Sequence, residues 1–579
     1  MKIEIAKTAG FCMGVRRAVE LALESPGKHA APIYTYGPLI HNPQVLSLFA
    51  EKGITILNTI PEHGSGTVLI RAHGVPPTDK QQLADAGFFV VDATCPRVIR
   101  VQTIIRTHAR KGFSTIIVGD QDHPEVVGLM GYAGESGYVV SALSDLEALP
   151  AFDQAIIVAQ TTQNLELYEQ VKAWAARIHP HYKTFDTICD STEKRQSEIK
   201  QLAKRVDAII IVGGRQSGNT RRLAEIAAET GKPAFHVETE ADLAHCPMGP
   251  VRTIGITAGA STPNWIIKQV CRKLEWLSMD RHTDFRGLVS RYLQPLLLSN
   301  MYLAMGAGCL TFACSRLLGI RPVTAPVMMA MLYVFSMHLL NHLTGTAEDE
   351  YNDPQRARFY RTHRIGLSVL AVLAGAGGIA VAATLGTAAF GILLVMSLLG
   401  LSYSIYLIPP GKRFRFRRIK DIPGSKTILI AVAWGVVAVL LPAIADVSAS
   451  SSPLLAPGVL VVFPWVTALV FSRTALFDLL DVQGDRIIGK ETIPTLLGDQ
   501  RTLVLLKGVL SACTVLIALA AAVGLTSSLG FLLSLCPGIM LILVMIHEQG
   551  RMLPGMRFEA LVESLFPLSG ILALGWSLF

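Results

Sequence analysis

Ala9-Gly-Phe-Cys-Met-Gly-Val-Arg-Arg-Ala-Val19 follows a short apolar run, Ile3 to Ala6, and leads into an amphipathic helical pattern. Cys12 is therefore expected at a strand-to-helix turn, with Phe11 and Val15 as apolar cover and Arg16 and Arg17 opening the helix. Gly10 and Gly14, lacking Cβ atoms, let the backbone come close to something bulky. Such a turn suits an inorganic cofactor or an anion. The arrangement recurs as Phe88-Phe-Val-Val-Asp-Ala-Thr-Cys-Pro96 and as Phe185-Asp-Thr-Ile-Cys-Asp190, each with a cysteine at the carboxyl end of a predicted strand. Taken singly, each is as readily a small buried hydrophobe. As a set, Cys12, Cys95 and Cys189 can converge on one metal centre. Three thiolates suit an iron–sulfur cluster that keeps one iron open for substrate.

The 579 residues exceed one ordinary domain and predict roughly three or four units at about 150 residues each. Up to about Trp276 charged, polar and apolar residues mix as in a soluble α/β protein. From Pro295 onward long apolar runs alternate with short charged loops, raising the mean hydropathy to +0.42. The expected organisation is a first domain over 1–276, a linker over 277–294 and a membrane domain over 295–579. The net charge of +8 does not predict a nucleic-acid partner. Many arginines fall in short loops between apolar runs, as the positive-inside rule requires, and no zinc-knuckle, RNP or basic-arm pattern accompanies them. The nine cysteines lack close pairing, and no signal-peptide pattern precedes Cys12, so the amino-terminal part is expected in a reducing cytoplasm.

In the first domain, β-like runs at Ile3 to Ala6, Thr67 to Arg71, Phe89 to Asp92, Ser114 to Gly119, Ala155 to Ala159, Ala208 to Gly213 and Thr253 to Thr257 alternate with helical patterns. That alternation implies parallel sheets with both faces covered. Polar clusters follow the strands: Gly37-Pro-Leu-Ile-His-Asn-Pro43, Arg71-Ala-His-Gly-Val75, Gly119-Asp-Gln-Asp-His-Pro-Glu-Val126, Gln160-Thr-Thr-Gln-Asn164, Gly213-Gly-Arg-Gln-Ser-Gly-Asn-Thr220 and Ala258-Gly-Ala-Ser-Thr-Pro263. Ligands of open α/β sheets bind beyond the carboxyl strand ends. Glycines there permit close approach and histidine, serine and asparagine donate, which describes a phosphate or diphosphate pocket. Glu125, two residues after His123, is a proton source within sequence reach of such a pocket. No G-x-G-x-x-G lies where a nicotinamide domain needs it, so electrons must come from a partner.

These motifs, in order, spacing and context, resemble the 4-hydroxy-3-methylbut-2-enyl diphosphate reductases of the LytB/IspH type over about residues 1 to 276. The resemblance implies an α/β trefoil of three pseudo-repeated α/β units around a [4Fe-4S] cluster held by Cys12, Cys95 and Cys189. It implies that His41, His73, His123, Ser217, Asn219 and Ser261 bind the substrate diphosphate, that Glu125 supplies protons and that Thr161 orients the substrate hydroxyl. The expected reaction is reductive dehydroxylation to isopentenyl and dimethylallyl diphosphate, with ferredoxin or flavodoxin as electron donor. Cys246 and Cys271 match none of the three repeated contexts and are expected to be structural.

After the linker come nine apolar segments, at 296–315, 323–344, 365–385, 388–408, 427–446, 456–477, 503–525, 529–547 and 560–578. Each is near the ~20 residues that span a bilayer, predicting an all-α domain of nine transmembrane helices in contact with membrane lipid. Loops after spans two, four, six and eight carry arginines and lysines, those after three, five and seven carry none, and only Arg316 and Arg321, near the ends of the loop after span one, run against the pattern. The expected placement is a multi-pass inner membrane protein of a bacterium, with the first domain in the cytoplasm. At the end of span six, Asp478, Asp481 and Asp485 stand at i, i+3 and i+7, on one helix face that can hold Mg²⁺ bridging a diphosphate.

This half resembles the UbiA-type intramembrane prenyltransferases in its nine spans and in the Asp-x-x-Asp-x-x-x-Asp stretch followed by Gly-Lys-Glu-Thr-Ile-Pro494. Relatives carry Asn-x-x-x-Asp-x-x-x-Asp after span two; here Asn341 and Asp349 are in place, Gly345 replaces the middle acid, and Glu348 or Asp353 are candidate substitutes. The implied second activity is prenyl transfer from an elongated prenyl diphosphate. Gly345 leaves a second reading open, in which only the reductase is catalytic and the membrane half is an anchor or lipid-binding module. A sensing role for the cluster is a third, opposed by the diphosphate loops and Glu125, which a carrier does not need.

Overall fold

The computed structural model describes residues 2–249, 251–280, 293–321, 324–344, 352–403, 422, 424–446, 456–488, 491–549 and 556–578. The chain divides into two compact units, Met1–Glu275 and Trp276–Phe579.

The strands of the first unit are β1 (Lys2–Ile5), β2 (Ile33–Tyr36), β3 (Ile54–Leu57), β4 (Thr67–Ile70), β5 (Phe89–Asp92), β6 (Ser114–Val118), β7 (Gly137–Val140), β8 (Ala155–Ala159), β9 (Lys183–Thr184), β10 (Ala208–Val212), β11 (Ala234–Val237) and β12 (Thr253–Ala258). They form three four-stranded sheets, all parallel, in the orders β3-β2-β4-β5, β7-β6-β8-β9 and β11-β10-β12-β1. Each sheet thus repeats one order, second-first-third-fourth, and β1 fills the fourth place of the last. Pairing of Lys2 with Thr253 through Ile5 with Ile256 closes the beginning of the unit onto its end.

The central strands explain why these segments form sheets. Ala155-Ile-Ile-Val-Ala159 and Ala208-Ile-Ile-Ile-Val212 are buried at every position, as is Thr67-Val-Leu-Ile70. Parallel strands covered on both faces need such unbroken apolar runs. The fourth strand of each sheet is different in character. β5, β9 and β1 are short edge strands, half-buried or exposed, and each leads to one of the three cysteines. Tyr168 anchors the approach to Cys189: its hydroxyl donates to the Phe185 carbonyl at 2.6 Å and lies 3.2 Å from that of Ile157 on β8. Glu198 anchors the approach to Cys12, accepting from the Lys7 amide at 2.6 Å, the Thr8 amide at 2.9 Å and the Thr8 hydroxyl at 2.6 Å.

The second unit is helical. Among the described residues, eight helices are long and apolar enough to cross a membrane: Met301–Leu318, Thr324–Thr344, Arg364–Thr384, Ser425–Ala445, Pro457–Val482, Asp499–Ala522, Leu529–Glu548 and Phe558–Trp576. This is a multi-pass membrane protein. The expected segment 388–408 is represented by a shorter apolar helix, Thr387–Ser402, and 404–421 lie outside the described residues. The helix that begins at Pro457 runs on to Ile488, past its apolar window, and carries the three aspartates at its carboxyl end. In the segment expected as a linker, 277–280 continue the helix Asn264–Asp280, and 281–292 lie outside the described residues.

Ile210, fully buried at the centre of β10, provides a test of the first unit. Ile210→Ala is expected to cost about 3 kcal/mol, within the range for such truncations. Hydrogen exchange should show weaker protection of the β10 and β12 amides; unchanged protection would contradict the assignment of β10 to the core.

Candidate functional site

Cys12, Cys95 and Cys189 are the N-caps of the helices Met13–Lys28, Pro96–Ala109 and Asp190–Ala203. Three helix N-termini, each favouring negative charge, therefore present one thiol apiece. The backbone holds each turn: the Cys12 amide donates to Ala260 O at 3.2 Å, Cys95 to Ala72 O at 2.9 Å and Cys189 to Thr161 O at 3.0 Å. Gly14 explains the close approach, since a Cβ there would lie 2.4 Å from Cys95 Sγ.

The thiols sense one another. Burial pushes the Cys95 thiol up, and Cys12 and Cys189 add to the rise against amide hydrogen bonds from Arg97 and Val98. Burial also raises Cys189, with Cys12 adding to it and the Ser191 and Thr192 amides and Arg97 opposing. Such a group ionises when a metal supplies positive charge, because coordination deprotonates a thiol outright. Three partly buried sulfurs on three helix N-termini are a donor set that fits an iron–sulfur cluster.

Arg195 was not picked out by sequence reasoning. Buried beside Cys12 and Cys189, it donates to Gly10 O at 2.7 Å and Ala258 O at 2.9 Å, tying the Cys12 turn to the end of β12. An arginine six positions after a cysteine carries no motif by which it could be found.

The loops after the first and third strands of each repeat meet at the topological switch point, where ligands of this strand order bind. They bring His41, His123 and Ser217 from first-strand loops together with His73, Thr161 and Ser261 from third-strand loops. The histidine rings lie 4.9 Å (His41–His73), 5.4 Å (His73–His123) and 6.1 Å (His41–His123) apart. Burial lowers all three: His123 falls to about 4, with His41 contributing, and His73 falls well below its ordinary value, with both other histidines contributing. Burial thus favours their uncharged form. His123 Nδ1 accepts from the Glu125 amide at 3.1 Å, which leaves Nε2–H to donate.

Other donors complete the pocket. Ser217 caps the helix Gly218–Glu229, and Ser261 Oγ lies 3.3 Å from Ser217 Oγ and 3.3 Å from His41 O. His41 Nε2, His73 Nδ1 and Asn219 Nδ2 are buried without a hydrogen-bond partner among the described residues. Buried polar atoms normally have partners, so this concentration marks a place for an anion rich in acceptor oxygens. The three histidines also satisfy the spacing for a metal ion, with one ligand nitrogen each within 4.8 Å of the others. The helix N-terminus and serine hydroxyls beside them favour the anion.

Glu125, only 2% exposed, sits against Thr161: its Oε1 accepts from the Thr161 amide at 2.6 Å and its Oε2 from the Thr161 hydroxyl at 2.8 Å. Burial pushes its carboxyl up from 4.5 to about 7 despite these hydrogen bonds. Thr161 in turn accepts the Cys189 amide, so one threonine connects the acid with a thiol turn. Cys246 and Cys271 stand apart, Cys246 in a turn and Cys271 buried in the helix Asn264–Asp280.

In the second unit, Asp478 and Asp485 are buried and Asp481 is half-buried. The Thr427 hydroxyl donates to Asp478 Oδ2 at 2.6 Å, and Asn352 Nδ2 donates to Asp485 Oδ1 at 3.1 Å. The segment following the first motif thereby meets the second motif. Asn341 is half-buried on the helix Thr324–Thr344. Asp349, with Gly345 and Glu348, lies outside the described residues. Asp353 caps the helix Pro354–Thr362, accepting from the Arg356 amide at 3.1 Å. Two further charged residues escaped the sequence reading: Arg473 donates to Glu563 Oε1 through Nε at 3.1 Å and through Nη2.

Comparison with known proteins bears on both units. The family model of the LytB protein matches residues 3–275, and that of the UbiA prenyltransferase family matches residues 301–551. The 4-hydroxy-3-methylbut-2-enyl diphosphate reductase of Pelobacter propionicus is 40% identical over 274 residues, 47% of this chain and 98% of that protein. A solved (E)-4-hydroxy-3-methyl-but-2-enyl diphosphate reductase, 40% identical, covers 48% of this chain and 99% of its own, with a TM-score of 0.38. A UbiA homolog from Archaeoglobus fulgidus bound to DMAPP and Mg²⁺, 17% identical, covers 48% of this chain and 98% of its own, with a TM-score of 0.35. The chain belongs to the 4-hydroxy-3-methylbut-2-enyl diphosphate reductase family of the LytB/IspH type, and a UbiA prenyltransferase family domain follows its reductase domain.

Proposed function

We propose that the first unit removes the hydroxyl of 4-hydroxy-3-methylbut-2-enyl diphosphate, giving isopentenyl and dimethylallyl diphosphate. The observation that carries this reading is the meeting of three helices that begin at a cysteine with a cluster of buried imidazole and hydroxyl donors and a carboxyl raised to about 7. His41, His73, His123, Ser217, Asn219 and Ser261 seat the diphosphate. Neutral imidazoles donate hydrogen bonds without needing charge, which suits a buried site. Cys12, Cys95 and Cys189 would hold the [4Fe-4S] cluster. When bound, such a cluster relays electrons and offers an open iron as a Lewis acid.

Overall, two electrons and two protons enter, the allylic C–O bond breaks, a C–H bond forms and water leaves. Glu125, held as the acid near neutrality, delivers a proton, and the Thr161 hydroxyl orients the substrate oxygen beside it. Ferredoxin or flavodoxin supplies the electrons. The second unit transfers a prenyl group from an elongated prenyl diphosphate; Asn341, Asp349, Asp478, Asp481 and Asp485 would hold Mg²⁺, which would offset the negative charge of the leaving diphosphate. Its basic loops and the reductase share the cytoplasmic side of a bacterial inner membrane.

Anaerobic turnover of 4-hydroxy-3-methylbut-2-enyl diphosphate with a reduced low-potential donor tests the reductase. Wild type should form both five-carbon products and Cys95→Ser neither; no turnover by a preparation spectroscopically full of cluster would sink the reading. Glu125→Gln should lower turnover by about 10² to 10⁴, as loss of a general acid does, with cluster absorbance retained. Because the acid form of Glu125 is the donor and its carboxyl titrates at about 7, wild-type turnover should fall as pH rises through that value. A rate that climbs through pH 7 would remove Glu125 from this role. Asp478→Ala with Asp481→Ala should abolish a labelled prenylated product in proteoliposomes while five-carbon products continue. Labelled product retained by the variant would remove these aspartates from the reaction, and no labelled product from wild type would favour a membrane half that is only an anchor.

A further inference from the structure

The strongest unassigned group in the second unit is an ion pair inside apolar helices. Arg473 lies within the span Pro457–Val482 and Glu563 within the span Phe558–Trp576. Their side chains are 13% and 4% exposed. Ionisable residues inside a membrane are costly and mark function. Here both Arg473 contacts go to Oε1, and Glu563 Oε2 is buried without a hydrogen-bond partner among the described residues.

The surroundings connect this oxygen with the diphosphate residues. Arg473 precedes Asp478 by five residues, about 7.5 Å along a helix axis. His338 stands one turn before Asn341 and has Arg473, His342, Lys426 and Arg356 as charged or titratable neighbours. Lys426 adjoins Thr427, whose hydroxyl bonds Asp478. Arg356 neighbours Glu563 as well as His338, and pairs with Glu559 and Asp353. Five helices thus bring one polar cluster together: Arg473 pairs with Glu563 and neighbours His338, Asn341 follows His338 by one turn, and Asp478 bonds Thr427 beside Lys426.

We propose that Glu563 Oε2 is the proton acceptor for the second substrate of prenyl transfer, a neutral hydroxylated molecule such as a phenol or alcohol. The proposal rests on the prenyltransferase reading of this unit. An idle carboxylate oxygen accepts from an O–H group and repels an anion, and the arginine beside it is already committed to the other oxygen. This selects a neutral donor over a carboxylate-bearing acceptor. In the step, the C1–O bond of the prenyl diphosphate breaks and its electron pair leaves with diphosphate. The acceptor supplies the pair for the new bond to C1 and gives up its hydroxyl proton to Glu563. Arg473 is a positioning residue: its two contacts fix the carboxylate so that Oε2 faces the cluster.

The test uses the full chain in proteoliposomes made from bacterial membrane lipid extract, with tritiated geranylgeranyl diphosphate and Mg²⁺. Glu563→Gln should lose product formation by about 100-fold or more, the scale of general-base catalysis, while binding the labelled diphosphate within about twofold of wild type. Glu563→Ala should recover product when formate or azide is added, which a merely structural role would not allow. Product formation by Glu563→Gln within about threefold of wild type would overturn the assignment and leave prenyl transfer standing. Loss of diphosphate binding in Glu563→Gln, or no rescue of Glu563→Ala, would overturn it in favour of a structural ion pair. Absence of product from wild type itself would remove prenyl transfer, and the proton acceptor with it.

Discussion

Gathering negative charge into a small buried volume is the constraint on which the first unit depends. Three thiols come together at one place, and the pocket beside them is fitted for an anion. Charge repulsion and burial oppose both, as the raised thiols of Cys95 and Cys189 show. The fold meets this by ending three edge strands at three helix N-termini and by threading Arg195 between the Cys12 and Cys189 turns. The histidines add donors with little added charge, because burial disfavours their protonation. Partial charges of the backbone and neutral donors thus do most of the balancing, with one buried guanidinium.

The threefold repetition follows from the same need. One sheet of this order offers a first-strand loop, a third-strand loop and a fourth-strand loop. Three sheets supply the equivalent loops three times, and the positions have diverged by task. Fourth-strand loops all end in cysteine. Third-strand loops end in His73, Thr161 and Ser261, and first-strand loops in His41, His123 and Ser217. Only one of the three third-strand positions carries a residue in contact with a carboxylate, Thr161 with Glu125. The surrounding symmetry is therefore broken chemically at the buried carboxyl.

The second unit solves a related problem in a different solvent. With no water in the hydrocarbon layer, each charge needs a partner inside the protein. Asp478, Asp485, Arg356 and Arg473 all have one, drawn from other helices or from the segment between spans. The partners are long-range in sequence, so the polar residues also specify which helices meet. An unsatisfied oxygen in such a setting, like Oε2 of Glu563, is conspicuous for that reason.

Much was legible in the sequence because its signals are local. A cysteine beyond a strand with glycines around it, six polar loops in order, apolar runs of membrane length and aspartates at helical spacing all depend on neighbours along the chain. Even so, β2, β3, β7 and β11 were not picked out: none leads to a cysteine and none is an apolar run buried throughout. Tertiary structure alone decided the rest. That β1 completes the last sheet, that Thr161 holds Glu125, that Arg195 reaches the Cys12 turn and that Arg473 reaches Glu563 are contacts between residues 36 to 251 positions apart. Such contacts arise from how whole sheets and helices pack, and burial then sets the chemistry. The same glutamate is an ordinary surface acid or a carboxyl raised to about 7 according to the desolvation that the fold imposes on it.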